Sequence, residues 1–237
     1  MKQLKFLAAI GFAAAMSFSI SSCNNGEEKK ADDKAADSAA VTAPVKPANL
    51  MLVTHKVANY AKWLVAYEAN DSLRVANGLH SYVIARGLND SNTVMVANKM
   101  DDAAKAKEFA ASPALKDAMQ KAGVISAPTI SYLDVQMQDT ATNTANIRLM
   151  VTHKVKDWDA WKKSFDSHKQ TRVDAGLTDR VIAYSVGDNH MVTLVFIVSD
   201  MKKAEAFSKS DDLKKKMEEA GVDGPPAFFY YTVAKKY

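Results

Sequence analysis

His55 and His153 are the side chains of this chain best placed to move a proton or to orient a ligand. Each lies near the end of an apolar, β-branched run, residues 50–57 in one case and 147–155 in the other. On the alternation of a strand each shares a face with two valines, Val53 and Val57 or Val151 and Val155. An imidazole so placed either hydrogen-bonds at the strand end or serves a pocket as acid, base or orienting group, because its ordinary pKa lies near neutrality. Neither histidine belongs to an HExxH or paired-carboxylate spacing, and one imidazole per site makes a poor metal centre. No metal and no cofactor is therefore expected.

Other candidates recur in matched pairs. Trp63 and Tyr67, with Tyr60 before them, repeat as Trp161 and Phe165 after Trp158; steps of three and four put each set on one helical face. Such a stripe either fills the core or walls a ligand pocket. Arg74 and Arg172 follow the tryptophans by eleven residues, three helical turns on. Each can pair with a carboxylate, cap helix carbonyls, or grip an anionic ligand at a pocket rim. His168 stands opposite Asn70, so chemistry that needs this imidazole exists in one half only. Tyr132 and Tyr230 are also matched, and a buried phenol needs a partner, which a ligand can be. No phosphate loop, Rossmann glycine pattern or nucleophile elbow is present.

These pairs fall 98 residues apart without a gap. Val-Thr-His-Lys-Val occurs at 53–57 and 151–155, Arg-Val at 74–75 and 172–173, Ala-Gly-Val at 122–124 and 220–222, and Pro128 meets Pro226. Roughly a third of positions 50–135 are identical to their partners, so one small domain is encoded twice. Each copy reads as strand, helix, two strands joined by an Asn/Asp/Gly turn, helix, strand. Asn59, Asp102, Asp157 and Asp200 stand at helix N-cap positions, and Gly78, Gly123, Gly176 and Gly221 at helix ends. Ser112-Pro113 is a candidate break in the second helix of copy one. The order βαββαβ, twice, predicts an α+β chain of two tandem ferredoxin-like repeats. Because the strands are apolar on both faces, the two sheets are expected to cover one another as an intramolecular barrel. The boundaries are 49–136 for the first repeat, 137–146 for a polar linker and 147–237 for the second.

The stretch TH-K-V-x-[ND]-[YW]-x-x-W at 54–63 and 152–161 resembles the opening of small dimeric α/β-barrel proteins, among them antibiotic-biosynthesis-type monooxygenases. S-x-x-L-K-x-x-M-x-x-A-G-V at 112–124 and 210–222 is similar to the same domains. The resemblance spans nearly all of 49–237. It implies a barrel that relatives close by dimerising and that the duplication here closes within one chain, as a monomeric pseudo-dimer. Its members include oxygenases, haem-degrading enzymes and binding modules, so it implies no single reaction. The Asn, Trp and His pattern of the haem-degrading members is not matched.

The N-terminus predicts an address. Lys2 and Lys5 precede an apolar run at 6–16, too short to span a bilayer, and Ile20-Ser21-Ser22-Cys23 has the form of a lipobox. Residues 1–22 are expected to be removed and Cys23, the only cysteine, to be lipidated, which excludes intrachain disulfides and thiolate metal clusters. Residues 23–48 have almost no large apolar side chains and are expected to act as a tether. The formal net charge of +4 falls to +2 without Lys2 and Lys5, and the charges are interleaved, which points away from nucleic acid. The expected partners are a lipid bilayer, through acylated Cys23 at the outer membrane of a cell envelope, and a small apolar or aromatic molecule. A cofactor-free monooxygenase-like enzyme using His55 or His153 and a partner-binding module are the alternatives.

Overall fold

The structure, a computed structural model, describes residues 46–237. The expected signal segment, Cys23 and most of the tether lie outside the described residues. The first repeat runs β1 (Asn49–Lys56), α1 (Tyr60–Ala69), α2 (Asp71–Ala76), β2 (Leu79–Gly87), β3 (Thr93–Met100), α3 (Ala103–Ala110), α4 (Pro113–Lys121) and β4 (Thr129–Gln138). The second runs β5 (Ile147–Val155), α5 (Trp158–Ser167), α6 (Lys169–Asp174), β6 (Leu177–Ser185), β7 (Asp188–Val198), α7 (Met201–Ser208), α8 (Asp211–Glu219) and β8 (Val222–Lys236). This is the ferredoxin-like order with each helix broken in two.

The expected N-caps form. Asn59 and Asp157 accept hydrogen bonds from the amides of Lys62 and Ala160 at 3.0 and 2.7 Å, satisfying donors that the first helical turn leaves free. The break in the second helix occurs in both copies, although only copy one has a proline there. Ser112 and Ser210 each accept from the amide three residues on, at 3.2 Å, so the capping serine starts a new helix in both. β8 also begins earlier than the prolines at 225 and 226 lead one to expect. Gly224, at φ +78°, and a register shift between Thr152 and Lys154 of β5 form a bulge that takes both prolines into the strand.

Gly176 joins α6 to β6 at φ +76°, and a Cβ there would come within 3.0 Å of the Asp200 backbone nitrogen. Gly176→Ala is expected to lower stability by more than about 1 kcal/mol in urea unfolding, from the left-handed backbone and the contact together. A wild-type midpoint would show that the turn relaxes freely.

All eight strands are antiparallel and close into one barrel, in the order β1-β3-β2-β8-β5-β7-β6-β4. Each repeat supplies four neighbouring strands, and the seams are β2–β8 and β4–β6. Their registers correspond after the 98-residue shift: Gly87 faces Tyr231 and Ala85 faces Val233, while Ser185 faces Leu133 and Ala183 faces Val135. The sheets are thus hydrogen-bonded edge to edge, which leaves no open strand edge, and their inner faces pack on one another. Alternate residues along each strand serve two cores. Leu50, Leu52, Met95, Val181, Ala183 and Tyr231 pack together inside the barrel, drawn from both repeats. Met51 and Val53 of β1 turn outward to α3 and α4, as Leu149 and Val151 of β5 do to α5 and α7.

Candidate functional site

Between sheet and helices each repeat holds a half-open cavity, of about 80 Å³ in the first and about 110 Å³ in the second. The histidines lie in them. His55 and His153 follow the outward-facing pairs Met51, Val53 and Leu149, Val151, so strand alternation carries each imidazole to the helix side. Trp63 of α1 and Trp161 of α5 then cover them, with ring centroids 5.6 and 5.5 Å apart. His55 is 5% exposed and His153 7%. No protein group hydrogen-bonds to either nitrogen of either ring. Burial among apolar side chains penalises the charged form and pushes both pKa values down to about 4. At neutral pH each is a neutral imidazole with one donor and one acceptor that the protein leaves unused.

The remaining candidates distribute unevenly. Trp63, Tyr67 and Arg74 line the first cavity; Trp161, Phe165, His168 and Arg172 line the second. Tyr132 and Tyr230 pack at the edges of the helix-side cores without lining either cavity. The terminal guanidinium nitrogens bond to the protein, while Arg74 Nε is buried without a partner. Arg74 donates to the Tyr67 carbonyl at 2.6 Å and to Asp71 at 2.9 Å, and lies 3.6 Å over the Tyr67 ring. Arg172 donates to the Phe165 carbonyl, lies 3.5 Å over the Phe165 ring, and holds both oxygens of Asp179 at 2.9 and 2.7 Å. The carboxylate has changed position between copies: Asp71 and Ser81 in the first correspond to Lys169 and Asp179 in the second. Each arginine keeps one acid, supplied once by the helix and once by the strand.

His168 and Asn70 also do one job with different groups. Asn70 donates to the Ala66 carbonyl at 2.8 Å, and His168 Nδ1 lies 2.9 Å from the Ser164 carbonyl, each four residues back at a helix end. Donation by Nδ1–H leaves Nε2 as an acceptor beside the second cavity. Asn98 is a site residue that inspection of the chain did not single out. It is 3% exposed on β3, lines the first cavity, and accepts from the Tyr67 hydroxyl at 3.0 Å. A signal for it exists: amid Val94 and Val96, an asparagine stands where the second repeat has Phe196.

Chemically, each repeat offers a half-open apolar cavity with one buried neutral imidazole to hydrogen-bond a ligand, joined at the edge of the second by His168. A base with a pKa near 4 is poorly matched to proton abstraction at neutral pH. Among the described residues no three His, Cys, Asp or Glu side chains lie together as metal ligands. No helix among them is long and apolar enough to cross a membrane.

No protein-family model matches the chain, and no curated protein is similar to it in sequence. Solved structures are similar in fold. An anthrone oxidase-like protein matches over 80% of this chain and 92% of its own, at TM-score 0.54 and 12% identity. A candidate monooxygenase of Fusobacterium nucleatum matches over 79% and 92%, at 0.51 and 13%. A candidate chlorite dismutase matches over 80% and 96%, at 0.52 and 13%. What this chain shares with these monooxygenase-like proteins, at such identities, is the ferredoxin-like α+β fold.

Proposed function

We propose that this chain is a lipid-anchored protein of the bacterial cell envelope. Its duplicated α/β barrel binds a small apolar or aromatic molecule in the helix-side cavities, each ligand hydrogen-bonded by a neutral histidine. One observation carries the binding reading. In both repeats a buried imidazole faces an apolar cavity with neither nitrogen bonded to the protein, an arrangement that costs stability unless something else meets those groups. The volumes set the scale: both cavities are smaller than the apolar cavity of about 150 Å³ that holds one benzene ring, so a single ring or short chain is the upper limit and three fused rings do not fit. The matching seam registers support descent of the barrel from a duplicated domain that once closed by dimerising.

Phenol is a suitable probe, one ring with one hydroxyl. It is expected to shift the fluorescence of Trp63 and Trp161, and His55→Ala/His153→Ala to weaken binding about tenfold through the lost hydrogen bonds. Binding unchanged in the double variant removes the histidines from recognition. Oxygen consumption on adding phenol would instead favour the monooxygenase-like reading, which the fold neighbours support and the low imidazole pKa opposes. The anchor rests on the lipobox. Cys23→Ala is expected to move the protein from the membrane to the soluble fraction of a bacterial host and to abolish labelling by palmitate; retention in the membrane fraction would refute it.

A further inference from the structure

The two cavities share one end and differ at the other. At the shared end a histidine lies under a tryptophan. At the far end of the first cavity Asn98 stands on β3 directly opposite Met51 of β1, in register, while His55 stands opposite Val94. His55 and Met51 are four residues apart on one strand, so the polar groups at the two ends are separated by about 13 Å along the strand direction. Val53 and Val96, paired between them, make the middle apolar. Tyr67 donates its hydroxyl proton to Asn98 Oδ1 and lies 2.9 Å from the Ser81 hydroxyl, which fixes the amide and leaves its N–H donors for the cavity. In the second repeat all three polar groups are replaced at this end. Phe165 and Phe196 stand for Tyr67 and Asn98 with ring centroids 6.3 Å apart, and the acid at the Ser81 position, Asp179, is bound by Arg172.

Resting on the binding function proposed above, we infer that the two cavities select different ligands. The cavity of the first repeat takes an elongated apolar molecule with an oxygen at each end, one for His55 and one for Asn98. That of the second takes an apolar molecule with one oxygen, for His153, because at the position of Tyr67 and Asn98 it presents the rings of Phe165 and Phe196, which offer a second oxygen no hydrogen bond there. The duplication has thus made one barrel with two specificities.

Two probes differing by one oxygen test this: 1,5-pentanediol, whose extended oxygens lie about 7–8 Å apart, the span of about 13 Å less a hydrogen bond at each end, and 1-pentanol. Each is titrated into the full-length Cys23→Ala chain, which carries no acyl group to compete, while the indole N–H resonances of Trp63 and Trp161 are followed by NMR. The expected result is that Trp63 responds at about tenfold lower concentration to the diol than to the alcohol, and Trp161 shows the reverse preference. Tyr67→Phe/Asn98→Phe copies a pair the second repeat already packs, and should abolish the Trp63 preference. The reciprocal Phe165→Tyr/Phe196→Asn should weaken the preference at Trp161. Equal responses of each indole to both probes in the wild-type chain would overturn the inference and leave the binding function standing. Silence of both indoles to both probes would overturn the binding function with it.

Discussion

Between pH 6.5 and pH 4 the folded protein should lose about 3 kcal/mol of stability for each of His55 and His153. The direction follows from which state takes up protons. In the unfolded chain both imidazoles protonate near their ordinary pKa of 6.5, whereas in the fold burial holds them neutral until about pH 4. Below 6.5 the unfolded state binds more protons, so acid favours it. The contribution is complete above pH 6.5, declines through the window and levels off below pH 4. Carboxylates also titrate near the lower limit, so the wild-type curve alone does not isolate the effect. Urea unfolding of wild type and of His55→Ala/His153→Ala, at half-unit pH steps, gives the difference. The variant gives up imidazole packing on Trp63 and Trp161, but it also removes four buried nitrogens without partners, and it should be the less acid-sensitive protein. Parallel stability curves for the two proteins would mean that water reaches the imidazoles and that neither cavity is apolar in solution.

Arg172→Leu should cost about 3–5 kcal/mol, the range for breaking a buried ion pair, because it strands Asp179 beneath the helices. The Asp179 side chain is only 12% exposed, and both its oxygens depend on Arg172. Arg172→Leu/Asp179→Leu should recover most of the loss, since removing both partners leaves no unpaired charge behind. In the first repeat the equivalent Arg74→Leu leaves behind Asp71, which is 58% exposed and on the helix, so the ion-pair part of its cost should be no more than about 1 kcal/mol. Denaturant unfolding of the three variants measures all of this. A loss below about 1 kcal/mol for Arg172→Leu would show that Asp179 is solvated and that the pair at this junction is ornamental.

The strands, the helix starts and the face that each histidine shares with two valines were legible along the chain because each follows from local chemistry. Period-two alternation placed His55 with Val53, and Asn59 or Asp157 beside an aromatic stripe marked a helix start. The second break in the paired helices was legible too, in Ser210, but the proline at 113 drew attention to copy one. Asn98 was harder to see. Its polarity is plain in the chain, yet its meaning depends on Tyr67, 31 residues away, and on a cavity wall assembled from β1, β3 and two helices. The arginines show the opposite difficulty: two competing roles were open to them, and only the positions of the Tyr67 and Phe165 carbonyls and of Asp71 and Asp179 decide where their donors go.

By itself, then, the chain determined that one βαββαβ domain is written twice, that its strands are apolar on both faces, and that one imidazole in each copy shares a strand face with two valines. Those properties are local, set by the repeat, by side-chain periodicity and by caps within a few residues. Tertiary structure alone decided that the strand edges join as β2–β8 and β4–β6, that the imidazole nitrogens find no protein partner, and that the cavities differ at Asn98 and Phe196. Those outcomes depend on groups brought together across tens of residues, where packing and hydrogen-bond geometry, and no local preference, select among the possible partners.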